Sequence, residues 1–271
     1  MNPEVAKKEA VYIKPKLRTV GIGGLCPGCH IGIIQGLLSE VINEMGIGGK
    51  TMGVTDIGCG SSTIRGVNVE VVPSNHGRSL AVGTGVKRVK PESIVICAIG
   101  DGGLAAIGCS HWMNAMFRGE KITCFFVNNA GYGRTGGQMA PTTLLGMKTR
   151  TTVYGRDPEK HGFPVHAAEI SATIRGTAYS ARVSVHTPAN YIRAKKAVRA
   201  ALQKQVDGIG FGIVEFISAC PTNWGLSPVE CLKFIDDVML AEFPLGEYKN
   251  VDSIDHSVIT GVDRISARSG A

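Results

Sequence analysis

The residues of this chain best suited to chemistry begin with Gly100-Asp101-Gly102, which residues 103–127 separate from Asn128-Asn129 and a glycine-rich loop. One carboxylate, one amide oxygen and one backbone carbonyl can grip a hard cation such as Mg2+, which takes its other ligands from water and phosphate oxygens. Residues 94–99 have the length and β-branched content of a strand buried on both faces, and 121–127 reads as the next parallel strand. Asp101 and Asn129 then stand at the carboxyl ends of neighbouring strands, where open α/β sheets bind ligands. A helix over 104–117, apolar at Leu104, Ile107, Trp112, Met116 and Phe117, would turn its free N–H groups and positive dipole end toward whatever Asp101 holds. The chemistry implied is a diphosphate held through a divalent metal. Gly-Asp-Gly by itself also fits a plain nucleotide-binding strand turn.

Cysteine is the second resource, with eight in a chain that carries no secretory signal. Cys26 and Cys29 precede a helix whose apolar positions Ile34, Leu37, Leu38, Val41, Ile42 and Met45 keep helical spacing, and a helix N-terminus lowers a thiol pKa. Alone, that pair could equally be a redox dithiol. Cys59 follows a short strand over 52–55 and Cys220 directly follows a strand over 211–217, so all four occupy junctions that one sheet edge could gather. Four thiolates suit a zinc ion or an iron–sulfur cluster, and spacing does not separate the two. Cys97 and Cys124 fall inside expected strands, Cys109 and Cys231 inside expected helices, and none of these is given a ligand role. The third resource is His76 and Arg78, at the start of a helix containing Leu80, Val82 and Val86. His76 could move a proton near neutral pH, and Arg78 could fix a carboxylate or phosphate through two hydrogen bonds.

The elements that must position these groups alternate between strand and helix. Further strands are expected over 68–72 and 178–185, and further helices near 165–174, over 188–206 and over 228–240. The fold class is an open, mainly parallel α/β sheet with helices on both faces, occupying residues 20–240. An N-terminal arm over 1–19 and a polar C-terminal extension over 241–271, contacting a partner or partly disordered, flank it. At 271 residues, 44% hydrophobic and 19% charged, the composition is that of a globular protein with one sizeable core. No run approaches the roughly 20 apolar residues of a membrane span, and residues 1–18 lack the apolar centre of a secretory signal. A cytoplasmic location is expected. The net charge of +7 comes from scattered Lys and Arg, which suits anionic small molecules or acidic proteins rather than nucleic acid.

The spacing from Gly-Asp-Gly to Asn-Asn resembles the thiamin diphosphate signature, and residues 129–138 with Pro141-Thr142-Thr143 are similar to the β subunit of 2-oxoacid:ferredoxin oxidoreductases. Cys26-Pro27-Gly28-Cys29, Ile57-Gly58-Cys59 and Cys220-Pro221-Thr222-Asn223-Trp224 resemble the elements with which such subunits hold one [4Fe–4S] cluster, and His76-Gly77-Arg78 is similar to another family element. The resemblance implies the thiamin-diphosphate-binding fold, with Mg2+ on Asp101, Asn129 and the carbonyl of Gly131. Thiamin diphosphate would lie against Ile57, Gly58, Gly100, Gly102, Gly103, Ser110, His111, Tyr132, Gly133, Thr135 and Gly136. Cys26, Cys29, Cys59 and Cys220 would hold the cluster, and His76 and Arg78 would serve catalysis.

The implied reaction is oxidative decarboxylation of a 2-oxoacid to acyl-CoA and CO2, with electrons passing through the cluster to ferredoxin. Because the stretch ahead of Asp101 has no room for a second α/β domain, an α subunit is expected to supply the pyrimidine-binding half. Further γ and ferredoxin-like δ subunits accompany it in such complexes. Residues 220–230 and 243–248 look more like the 2-oxoisovalerate (branched-chain) type, and the absence of a basic residue between Cys59 and Arg65 argues against a second substrate carboxylate there. His30, Gly60 and Gly103 depart from the pattern, Gly103 standing where many members have a second Asp. Two alternatives remain: a non-oxidative thiamin diphosphate decarboxylase or synthase subunit, and a zinc-stabilised nucleotide-binding module.

Overall fold

The computed structural model describes residues 14–19 and 25–257. Seven strands make one sheet: β1 Thr51–Thr55, β2 Glu70–Pro73, β3 Ile94–Gly100, β4 Thr123–Asn128, β5 Thr177–Ser184, β6 Phe211–Ile217 and β7 Gly246–Asn250. Their order is β2-β1-β3-β4-β6-β5-β7, all parallel except β7, which runs antiparallel to β5. Alternation along the buried strands divides the core in two. Ile96, Ala98, Phe125 and Val127 face the helices Ile31–Glu44 and Pro188–Val206, whereas Val95, Cys97, Ile99, Cys124 and Phe126 face Ser79–Val89, Cys109–Phe117 and Ala167–Thr173. A strand buried on both faces must read as a continuous apolar run. The open, mainly parallel α/β sheet is therefore as expected.

The order β2-β1-β3 contains the feature that makes a site. The chain leaves β1 outward to β2 and returns on the other side as β3, so the loops after β1 and β3 diverge at a topological switch point and leave a crevice. Residues 56–60 and 100–103 border that crevice, and Asn129 follows the adjacent β4.

Four details differ from expectation. The helix over 104–117 is two pieces, Asp101–Ala105 and Cys109–Phe117. The chain folds back at Gly108, where a Cβ would lie 2.0 Å from the Gly103 carbonyl oxygen, a contact that periodicity does not reveal. The last helix stops at Phe234 and widens into a π turn over Ile235–Met239. The C-terminal extension begins as part of the domain, since β7 covers the edge of β5 and residues 258–271 alone lie outside the described residues. At the other end residues 1–13 lie outside them too, but Leu17 packs on the core and Arg18 bonds Gly32 O (3.2 Å) and Gln35 Oε1 (2.5 Å), so the expected arm is docked by residue 17.

Candidate functional site

The strand ends gather oxygen atoms around Asp101. Its carboxylate is buried (4% exposed), accepts the Thr142 hydroxyl on Oδ1 and the Asn129 N–H (3.4 Å) on Oδ2, and is pushed by burial up to about 7. One end of the Asn129 amide lies 2.8 Å from Gly131 O and 2.9 Å from Asp101 Oδ2. With its oxygen at that end, three acceptors face one another with no proton among them. With its NH2 there, it donates to both. The first orientation is one that a cation would satisfy, and a carboxylate, an amide oxygen and a peptide carbonyl are the oxygen donors a hard divalent ion takes. These residues fit Mg2+.

Behind them a buried network sets the turn. Asn128 Nδ2 donates to Glu215 Oε1 (2.8 Å) and its Oδ1 accepts Ala130 N–H (3.1 Å), holding Ala130 at φ +57°, a left-handed conformation that non-glycine residues seldom adopt. That turn aims Asn129 and the Gly131 carbonyl at Asp101. Glu215 in turn lies 3.0 Å from Arg182 Nε, and Arg182 donates to Glu169, so a charged triad buttresses the loop from inside the sheet. Asn128 and Thr142 stand in the Asn-Asn and Pro-Thr-Thr motifs without a role of their own, and Glu215 carries no signal in the sequence.

The crevice is a cavity of about 230 Å³ lined by Ile57, Gly58, Cys59, Gly100, Asp101, Gly102, Gly103, Asn129, Gly131, Tyr132, Gly133, Thr135 and His76, all expected, together with Gly60, Val127 and Arg134. Complete small-molecule sites commonly have about 300–1,000 Å³, and this one is smaller and open. A side chain at Gly102 would begin 2.8 Å from the Tyr132 ring and 3.3 Å from His76 Nε2, so that glycine keeps the floor flat between them. Gly60 is needed for a closer approach: a Cβ there would lie 2.2 Å from Ile99 O. His76 Nδ1 is 2.8 Å from the buried carboxylate of Asp56, another residue unmarked in the sequence.

Four expected site residues lie elsewhere. Arg78 is exposed and pairs with His111 Nε2 (2.5 Å), Ser110 is exposed on the first turn of Cys109–Phe117, and Gly136, at φ +113°, lines a separate groove with Lys148 and Arg150. The fold-back at Gly108 packs against Gly77, and Ser110 and His111 beyond it are not among the residues that line the crevice. Arg134, by contrast, reaches Ser62 Oγ (3.3 Å), placing a cation over the segment that had looked free of one.

The four candidate cysteines lie near one another. Burial raises Cys59 and Cys220 and pushes Cys29 up to about 11, and every pair among Cys26, Cys29, Cys59 and Cys220 is within electrostatic reach. Among the described residues no group of three or more His, Cys, Asp or Glu is arranged to hold a single metal ion. Asn223 ties this edge to the crevice, donating to Cys220 Sγ (3.2 Å) and Gly133 O (3.0 Å), while Trp224 Nε1 donates to Asn129 O (3.1 Å). Cys97 and Cys124 are buried inside strands β3 and β4, Cys231 is buried within electrostatic reach of Cys220, and Cys109 is exposed.

A parallel sheet with a switch-point crevice, an oxygen trio for a hard cation and a glycine floor defines an α/β domain that binds an anionic cofactor through metal. Residues 47–215 match the thiamine pyrophosphate enzyme, C-terminal TPP-binding domain, and the chain belongs to that family, in its 2-oxoacid:ferredoxin oxidoreductase branch. It is 38% identical over 244 residues to the ketoisovalerate oxidoreductase subunit VorA of Methanothermobacter marburgensis, covering 90% of this chain and 51% of that subunit. It is 36% identical over 212 residues to the 2-oxoglutarate synthase subunit KorB of Archaeoglobus fulgidus, covering 78% of this chain and 75% of that one. The solved 2-oxoglutarate:ferredoxin oxidoreductase of Magnetococcus marinus, with 2-oxoglutarate, coenzyme A and succinyl-CoA bound, superposes with a TM-score of 0.75 at 25% identity, covering 97% of this chain and 93% of that one. The chain spans about half the length of the VorA subunits it matches. No helix among the described residues is long and apolar enough to cross a membrane.

Proposed function

We propose that this chain is the thiamin-diphosphate-binding β subunit of a 2-oxoacid:ferredoxin oxidoreductase that converts a branched-chain 2-oxoacid, CoA and oxidised ferredoxin to acyl-CoA, CO2 and reduced ferredoxin. The observation that carries this is the oxygen trio of Asp101, Asn129 and Gly131 in the switch-point crevice, joined through Asn223 to Cys220. When bound, thiamin diphosphate supplies the carbanion that attacks the 2-oxoacid. This chain's residues do the rest by placement. Asp101, Asn129 and Gly131 would hold Mg2+ and through it the diphosphate; Gly102 would leave the backbone open to the cofactor between Tyr132 and His76, whose Nε2 could move a proton.

Cys26, Cys29, Cys59 and Cys220 hold a [4Fe–4S] cluster as first electron acceptor. The cysteines sit in Cys-Pro-Gly-Cys, Ile-Gly-Cys and Cys-Pro-Thr-Asn-Trp segments like those of the 2-oxoacid:ferredoxin oxidoreductase relatives, which supports a cluster over a zinc ion. The small open cavity supports completion by an α subunit, with γ and δ subunits completing the complex, in the cytoplasm.

Identity to ketoisovalerate oxidoreductase subunits of 38–40%, against 32–36% for the 2-oxoglutarate synthase subunits, supports a branched-chain substrate. Arg134 supports a second reading, 2-oxoglutarate, since its guanidinium could take the distal carboxylate. The test is co-purification with the partner subunits, cofactor and metal analysis, and ferredoxin reduction with CoA across a panel of 2-oxoacids. Reduction with 2-oxoisovalerate at the highest kcat/KM is expected. Preference for 2-oxoglutarate selects the second reading, and a colourless zinc protein inactive with every 2-oxoacid sinks both.

A further inference from the structure

We propose that Asp56 is a positioning residue for His76: its carboxylate holds the imidazole with Nδ1 protonated and Nε2 presented to the crevice as a proton acceptor. The inference rests on the reading above, in which His76 works in the crevice. Asp56 is the first residue after β1, at the switch point, and is fully buried. Its Oδ1 accepts from Ile57 N–H (2.5 Å), Gly77 N–H (3.0 Å) and His76 Nδ1 (2.8 Å), and its Oδ2 from Gly77 N–H (3.0 Å) and Ser79 Oγ (3.4 Å). An ionised carboxylate only accepts, so Nδ1 must be the donor, and the neutral ring then carries its lone pair on Nε2. That nitrogen lies 3.3 Å from where a Gly102 side chain would begin, on the crevice floor. Among the described residues His76 is the one basic side chain within ion-pair distance of Asp56.

A second observation comes from residue 103. A Cβ on Gly103 would lie 2.6 Å from Asp56 Oδ2 and 2.9 Å from Asp56 Cγ, so the Asp56 carboxylate fills the space that a side chain at 103 would need. The glycine at 103, a departure from the resembled pattern, is thus the condition for a carboxylate reaching His76 from β1.

A carboxylate that merely caps the turn at 76–79 would need only the Gly77 and Ser79 contacts, and asparagine could keep these through its Oδ1. Asparagine cannot accept at both oxygens, and its NH2 turned toward Nδ1 would drive the proton to Nε2. The wild-type chain, Asp56→Asn, His76→Gln and the double variant are compared in the assembled complex. Asp56→Asn is expected to lower kcat at least about 100-fold, loss of the orienting carboxylate costing roughly 10,000-fold in a hydrolytic triad, with thiamin diphosphate affinity unchanged to within about threefold. In the His76→Gln background it should lower turnover no further. Nitrogen-15 shifts of His76 in the full chain should show Nδ1–H in the wild type and Nε2–H in Asp56→Asn. Full kcat in Asp56→Asn, additive losses in the double variant, or Nε2–H in the wild-type chain would overturn the proposal. If the wild-type complex oxidises no 2-oxoacid, the functional reading fails by itself, and the tautomer comparison still decides the pair.

Discussion

The crevice around Asp101 and the cysteine edge beside it are built on opposite principles. In the first, the polar groups come from strand ends and a turn locked by Asn128, Glu215 and Arg182, so the geometry exists without a ligand. In the second, the thiols come from three separate segments that meet beside the crevice loop, with Asn223 donating to Cys220 Sγ and to Gly133 O. The first geometry is fixed by buried hydrogen bonds, whereas the second depends on where three loops meet. The two meet at Gly133, where a Cβ would lie 3.1 Å from Cys59 Sγ and 3.3 Å from both Asn129 Nδ2 and Asn223 Nδ2. Close contact of this kind suits electron transfer from one site to the other.

Substitutions can break this contrast at different points. The largest effect is expected for Asp101→Ala, which removes the metal-facing carboxylate. Calorimetric titration of the complex should show thiamin diphosphate affinity falling about 1,000-fold, or about 4 kcal/mol, while cluster absorbance persists. Equal loss at both sites would mean they are not separately built. Next, Glu215→Gln leaves Arg182 short of a buried counter-charge and should lower stability to urea by about 3 kcal/mol; a change under about 1 kcal/mol would show that the triad is not a buttress. Gly60→Ala drives a methyl into the Ile99 carbonyl and should destabilise by about 2 kcal/mol, weakening both sites together because the Cys59 loop then lifts off β3. Cys220→Ser should slow ferredoxin reduction about tenfold, near 1.4 kcal/mol, with thiamin diphosphate titration unchanged. Unaltered ferredoxin reduction would remove the cysteine edge from the electron path.

Legibility in the sequence followed the range of each contact. The strands 94–100, 123–128 and 211–217 were readable because burial on both faces demands an unbroken apolar run. Asp101 and Asn129 were readable because each adjoins such a run, and the cysteines because their flanking words are short and distinctive. Asp56 meets His76 across 20 residues, Thr142 meets Asp101 across 41 and Glu215 meets Asn128 across 87, and none leaves a local pattern. Ser110, His111 and Arg78 stand close in sequence to residues that line the crevice, but do not line it themselves.

Taken alone, the amino-acid order determined the sheet class and marked Asp101, Asn129 and the four cysteines as candidate site residues. Those follow from residue type and near-neighbour spacing, which the backbone imposes locally. The strand order β2-β1-β3, the carboxylate that meets His76, the cation that covers Ser62 and the clamp of Asn223 between cofactor loop and Cys220 were decided only by the tertiary structure, because each depends on which distant segments the packed sheet makes neighbours.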